Sequence, residues 1–352
     1  MTTGPPPRII FNALALHPRG SGVQTYEREF LRAVVPFAPA ADLQALVQEV
    51  ALGELPPGVR PIVRQNTSGM RRAISGLRSP GPCDLFHGLD IDLPARTKAA
   101  TVTTVYDMAV FDVPWTFPRH RVIGERVLVT AALKRADAVV AISNFTAERV
   151  RERFGRESVV VGAAPSSDMR PPTTAEVESL RSAYSLPEHF VLHVGSVEPR
   201  KDVHGLARAC RAAGVPLVLA GSVVNSSTPP ADAIRIGYVA RSSMPALYGA
   251  ATVVAYPSRY EGFGLPAVEA MACGAPVVAS RIPPLADTLG DAAFLVAVGD
   301  EGALTAALGE LFADANLRCH LSAKGRQVAA SLTWAAVAKA TVAVYDSLGV
   351  IL

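Results

Sequence analysis

Apolar residues come in short blocks along this chain, and glycine, proline and charge fill the gaps between them. Arg8–Ala15 (RIIFNALA) is apolar on both faces, as a strand inside a parallel sheet reads. A Gly20–Ser21–Gly22 turn follows. Val23 to Val35 then keeps a helical period through Val23, Tyr26, Phe30 and Leu31. The alternation repeats. Residues 42–50 read as a strand and 53–62 as turns. Asp84–His87, Thr101–Val105 and Asp137–Ile142 read as strands, Arg119–Arg135 as a long helix, and a charged helix runs to Phe154. Ser158–Gly162 is the last strand of this half. Pro165, Pro171 and Pro172 interrupt regular structure over 163–172, which marks a domain boundary, and 174–185 reads as a short helix. The second half restarts with strands at Phe190–Gly195, Leu217–Gly221, Ile234–Tyr238 and Ala251–Tyr256. Tyr260–Ser280 (YEGFGLPAVEAMACGAPVVAS) reads as glycine loop, helix, glycine stop and strand. A turn is expected at Arg281–Pro284, then helices to Gly325 and a last helix over Thr333–Asp346. Strands alternating with helices over 352 residues predict an α/β chain of two domains.

Composition removes several classes of function. A net charge of +3 is too small for a nucleic-acid partner, and no basic run is interleaved with aromatics for base stacking. The four cysteines form no CxxC pair, which argues against a zinc or redox site. Pro5–Pro6–Pro7 leads into a short strand rather than a long apolar segment, so no secretory leader is expected. Apolar runs stop short of about 18 residues, so no transmembrane span is expected, and the cytoplasm is the simplest location.

Candidate chemistry collects at predicted strand ends, where α/β proteins bind ligands. Glu261 falls in the loop after one strand and Glu269 in the following helix, with Gly262, Gly264 and Pro266 between them. Both carboxylates can accept hydrogen bonds from sugar hydroxyls, and the free N–H groups of a helix start suit a phosphate. Arg200 and Lys201 stand side by side just before a helix. Cations there oppose the helix dipole and call for an anion nearby. Tyr106 and Asp107 close another strand. His87 closes a third and reads equally as a hydrogen-bonded core residue or as a site residue; His17 lies just before the glycine loop. Asp90–Ile91–Asp92 has the letters of a metal-binding pair but sits in a loop. Arg64, Arg71, Arg72 and Arg78 read as a solvated face or as contact with an anionic acceptor or membrane surface, over a thin apolar face of Met70, Ile74 and Leu77.

Together these segments resemble the retaining glycosyltransferases of family four, which carry an E-x7-E signature. The match rests on Glu261 and Glu269, on GFGLP, and on the Ala-Met-Ala-Cys-Gly-x-Pro-Val-Val run. Ser196–Asp202 (SVEPRKD) is similar to the family's VG-x-x-x-P-R-K-N element, and Gly20–Tyr26 to its glycine loop. The resemblance implies the GT-B architecture, two Rossmann-like domains facing across a cleft. It places an acceptor domain at 1–165, a nucleotide-sugar donor domain at 186–330, and a helix at 331–352 returning to the first domain. It implies Arg200, Lys201, Glu261, Tyr106 and Asp107 as catalytic residues, with Gly22, Ser196, Gly264, Leu265 and Glu269 holding the donor. Glu261 would meet the hexose and Glu269 the ribose, while backbone groups read the base. Ser143 is either a helix cap or a polar contact. A nucleoside-diphosphate sugar is the implied co-substrate, with no metal or other cofactor. The implied partner is a hydroxyl acceptor, either a small molecule, a glycolipid or a polysaccharide precursor, with peripheral membrane contact in the lipid case. The chain departs from the family at Tyr106, where a histidine is usual. That departure leaves a non-catalytic sugar-nucleotide binder as a second reading, and a same-fold phosphorylase or synthase as a third.

Overall fold

The computed structural model describes residues 5–20, 22–224 and 227–352. Ser21 of the glycine loop, residues 225–226 and residues 1–4 lie outside the described set, as does the side chain of Met70. Two compact units emerge. Unit 1 comprises Met1–Pro114, Arg119–Ala163 and Thr333–Leu352; unit 2 comprises Trp115–Pro118 and Ala164–Leu332.

In unit 1 the order is β1 (Arg8–Asn12), α1 (Gly22–Val34), β2 (Asp42–Gln48), β3 (Arg60–Arg64), α2 (Gly69–Gly76), β4 (Leu85–Gly88), β5 (Ala100–Val105), α3 (Ala109–Asp112), α4 (Arg119–Arg135), β6 (Ala138–Ala141), α5 (Asn144–Phe154) and β7 (Val159–Val160). The seven strands form one parallel sheet in the order β3-β2-β1-β4-β5-β6-β7. Successive side chains on a strand point to opposite faces. Ile10 and Phe86 therefore pack with Val129 and Leu133 of α4 on one side, while Phe11 and His87 meet Phe30 of α1 on the other. Ser143 caps α5, its Oγ accepting from the Thr146 N–H at 3.0 Å.

Unit 2 follows with α6 (Thr174–Tyr184), β8 (Val191–Val194), α7 (Val203–Ala213), β9 (Leu217–Ala220), β10 (Ile234–Gly237), α8 (Met244–Ala250), β11 (Val253–Tyr256), α9 (Leu265–Ala272), β12 (Val277–Ser280), α10 (Pro283–Leu289), β13 (Phe294–Val296), α11 (Glu301–Ala313) and α12 (Ala315–Ser331). Its six parallel strands run β10-β9-β8-β11-β12-β13. Val191, Leu219 and Ala255 pack against Leu206 and Cys210 of α7 and Leu308 of α11. Segment 281–284, read as a turn from its prolines, instead opens α10: Pro283 stands in the first helical turn, where its missing N–H costs nothing.

The last helix, α13 (Trp334–Ser347), belongs to unit 1. Trp334, Val337, Ala338, Thr341, Val344 and Tyr345 are buried, the i, i+3, i+4, i+7 stripe of a helix with one apolar face. The Trp334 ring meets Tyr26 of α1 edge-on at 5.1 Å. By length and composition the stretch Ala315–Ser347 is apolar enough to cross a membrane. It is two helices, however, of 17 and 14 residues, parted at Leu332 and Thr333, where the Thr333 Oγ1 accepts from the Ala336 N–H.

Candidate active site

In unit 2 the strand order reverses between β8 and β11, so the loops leaving their carboxyl ends run to opposite sides and leave a crevice between them. Those two loops carry the residues singled out in the sequence. After β8 the chain passes Gly195, Ser196 and Glu198 into a tight turn over Pro199–Lys201, closed by Asp202 in the left-handed region at φ 50°. After β11 it passes Ser258 and Glu261 to Gly264, also left-handed at φ 96°, and enters α9. A side chain at Gly264 would sit 2.2 Å from Leu285 Cδ2, so the start of α9 requires glycine twice over.

Although 60 positions separate them in sequence, the two loops share one charge cluster. Lys201 Nζ donates to Glu261 Oε1 at 2.5 Å, and Ser258 Oγ donates to the same oxygen at 2.7 Å. Arg200 Nη1 reaches Glu261 Oε2 at 3.3 Å, and its Nη2 pairs with Glu198 Oε1 at 2.8 Å. Ser196 Oγ donates to Glu198 Oε1 at 3.0 Å. Glu261 and Lys201 are both buried. Burial works to raise the Glu261 carboxyl, but the Lys201 and Arg200 charges outweigh it and hold the group at about 2. Burial first, and the Arg200 charge second, push the Lys201 ammonium below its ordinary value despite the attraction of Glu261. The anion that Arg200 and Lys201 call for in the sequence is thus, within this unit, Glu261 itself. Beneath the cluster lies His193, buried, its Nδ1 2.9 Å from the Ala255 carbonyl, which fixes the proton on that nitrogen. Glu269 lies on α9, half-buried, and accepts from the Tyr248 hydroxyl at 3.4 Å.

The candidates in unit 1 divide. Gly22 opens α1. The Tyr106 hydroxyl donates to the Leu89 carbonyl at 2.5 Å, and its ring meets Tyr26 edge-on. Burial raises its pKa well above the ordinary phenol value, which keeps it a neutral donor. Asp107 Oδ1 accepts from the Ala109 N–H at the start of α3. Of the two readings of His87 the structure supports the core one. Nδ1 lies 2.6 Å from the Tyr345 hydroxyl and Nε2 2.8 Å from Thr104 Oγ1, and burial lowers its pKa to about 3. His17 Nδ1 accepts from the Arg19 N–H. In the loop after β4, Asp90 pairs with Arg72 at 3.4 Å. Among the described residues no group of three or more His, Cys, Asp or Glu side chains is arranged to hold a metal ion.

Sequence reasoning passed over Glu198 and Ser258, which hold the charge cluster from either side. It also passed over Glu27 of α1, which is fully buried with neither carboxylate oxygen hydrogen-bonded among the described residues. Glu198 falls at an unspecified position of the VG-x-x-x-P-R-K-N element and Ser258 lies just ahead of the E-x7-E signature, so neither carries a motif letter.

A two-unit chain of parallel sheets, with a paired-cation turn facing an E-x7-E loop at a switch point, has the architecture of the GT-B sugar transferases. A sucrose-phosphate synthase from Thermosynechococcus elongatus superposes on 97% of this chain and 99% of its own at a TM-score of 0.77, with 22% identity. The family model described as glycosyl transferases group 1 matches residues 178–328. O-antigen chain mannosyltransferase B of Escherichia coli is 31% identical over 284 residues, covering 75% of this chain and 74% of that protein. The serotype-specific mannosyltransferase WbdA of Escherichia coli is 30% identical over 183 residues, covering 46% of this chain but only 22% of that longer protein. The chain belongs to the group 1 glycosyltransferases, and it is an enzyme that transfers a sugar from a nucleoside-diphosphate-sugar donor.

Proposed function

We propose that this enzyme moves a hexose, specifically mannose, from a nucleoside-diphosphate sugar to a hydroxyl of a growing glycan, with retention of anomeric configuration. The choice of mannose and of a glycan acceptor rests on the activity carried in the name of the 31% identical relative. The observation that carries the chemistry is the convergence of Arg200, Lys201 and Glu261 on one point at the carboxyl ends of β8 and β11.

In this reading the diphosphate competes with Glu261 for the cations that pair with it. Preorganised positive charge then stabilises the phosphate oxygen as the bond to the anomeric carbon breaks. Ser196 and the backbone at Gly264 and Leu265, where α9 begins, complete the phosphate contacts. Glu261 accepts from hexose hydroxyls and Glu269 from those of the ribose. By the family resemblance Gly22 is assigned to holding the donor, and Tyr106 and Asp107 to catalysis. The acceptor oxygen bonds to the anomeric carbon on the face the phosphate leaves, and its proton passes to the departing phosphate oxygen.

The test is a panel of GDP-, UDP-, ADP- and TDP-sugars offered with a mannosylated oligosaccharide, the product linkage being read by NMR. Transfer from a mannose nucleotide giving an α-linked product from the α-linked donor is the expected result. A β-linked product would overturn retention, and transfer only from non-mannose donors would overturn the sugar assignment.

A further inference from the structure

Two residues outside the proposed contacts tie the loops of the charge cluster together. Arg259, two positions before Glu261, donates its backbone N–H to the Arg200 carbonyl at 2.8 Å. Its guanidinium pairs through Nη2 with Asp202 Oδ2 at 2.7 Å. Asp202 immediately follows Lys201 and closes the turn in the left-handed region, which costs a residue other than glycine energy, though less for Asp or Asn. The family element that this turn resembles has asparagine here. Asn tolerates the same backbone but brings no charge, so Asp202 adds one, and Arg259 answers it.

Asp202 rests in a glycine notch. A side chain at Gly205, in the first turn of α7, would come 2.9 Å from Asp202 Oδ1. One at Gly299, itself left-handed at φ 73°, would lie in ordinary van der Waals contact with the Arg259 guanidinium, at 3.5 Å. The neighbouring Arg208–Glu301 pair joins α7 to α11, and its charges also act on Asp202 and Arg259, while the direct contact of Asp202 is with Arg259.

We propose that Arg259 and Asp202 are a positioning pair, which fixes the turn bearing Arg200 and Lys201 against the loop bearing Glu261 and so sets where those groups meet the diphosphate. Neither residue touches substrate. Arg259 is half exposed and Asp202 only 13% exposed, so the pair adds a modest amount to overall stability. Its loss therefore shows more in rate than in folding. A shift of about 1 Å in a reacting constellation costs up to roughly a hundredfold in rate.

The inference rests on the diphosphate reading of Arg200 and Lys201, and its test separates the two. The full-length enzyme is compared with Arg259→Ala, Asp202→Asn, the double variant and Arg259→Lys. Each single loss is expected to lower kcat roughly ten- to a hundredfold while moving the melting temperature by less than about 3 °C. KM for the donor should rise by a smaller factor than kcat falls, because most of the loss falls on the transition state. The double variant should be no worse than either single, as for two halves of one interaction, and Arg259→Lys should recover part of the rate. Unchanged kcat in the singles, additive losses in the double, or losses that track melting would overturn the pairing role. If the unmodified enzyme transfers no sugar in the donor panel, the fault lies with the proposed reaction, and calorimetry with UDP or GDP against the bare nucleoside then decides. The variants should weaken the diphosphate and leave the nucleoside alone; equal effects on both would overturn the inference.

Discussion

Glu261 is the counter-ion of Arg200 and Lys201 in the structure, and the reaction proposed above gives it a second role as a sugar-binding carboxylate. Glu261→Gln removes the charge that pairs with buried Lys201 and with Arg200, leaving Arg200 its contact with Glu198, so it reports on both roles. Transfer is expected to fall by a factor of a hundred or so, on the order of 3 kcal/mol of lost transition-state stabilisation. Affinity for the bare nucleoside diphosphate should hold or rise, since the Glu261 charge no longer competes with phosphate for Arg200 and Lys201. Calorimetry alongside steady-state rates checks this, and a diphosphate that binds as poorly as the full donor would rule it out. Two other buried groups give opposite pH signatures. The folded value of His87, about 3, lies below its ordinary 6.5, so the unfolded chain takes the proton first on acidification. Its neutral ring contributes fully above pH 6.5, and about 2 kcal/mol is lost between pH 7 and pH 5. Burial, then the Asp90 charge, raise Glu27 well above 4.5, so Glu27 opposes folding increasingly as pH climbs from 4.5. Urea unfolding at pH 5 and pH 8 should show His87→Gln flattening the acid side, and Glu27→Gln stabilising the protein more at pH 8 than at pH 5. The motifs around positions 200 and 261 were legible because they are local. That Lys201 ends on Glu261 was not, because β8 and β11 become neighbours only in the sheet.

At the level of elements, the strand–helix alternation was readable from hydrophobic period alone, and the errors have physical causes. β3 hides in a stretch read as turns because it is a mostly exposed edge strand carrying Pro61, with no apolar alternation to betray it. β1 stops at Asn12 although the apolar run continues to Leu16: the chain turns there, the Leu16 N–H bonding the Ala13 carbonyl, and Ala13 to Leu16 stay buried as a loop. The start of α9 is the element most exposed to a single change. Gly264→Ala combines a left-handed backbone with a clash on Leu285, and strain of this kind costs about 1–3 kcal/mol before repacking. The variant is expected to melt several degrees lower and to lose diphosphate affinity, because Leu265 and Pro266 can no longer begin the helix in place. Thermal melting with and without nucleotide checks both halves.

Across the whole molecule the charge cluster lies entirely within unit 2, as do both glutamates of the signature. Nucleoside diphosphate is therefore expected to stabilise that unit selectively. At a hundred times its dissociation constant a ligand adds about 2.7 kcal/mol to what it binds. Differential scanning calorimetry should show one thermal transition shifted and the other left in place, and equal shifts of both would contradict the assignment. The path of the chain has a consequence for how the protein is made. Unit 1 is left at Ala163 and regained only at Thr333. His87 waits for Tyr345, and Tyr26 waits for Trp334. On a ribosome adding about 5–20 residues per second, the intervening segment takes on the order of ten to thirty seconds to emerge. Throughout that interval the nascent first unit presents the apolar seat of α13 to its surroundings, so the second unit to begin is the first that can finish, and the seat stays uncovered until α13 has left the tunnel.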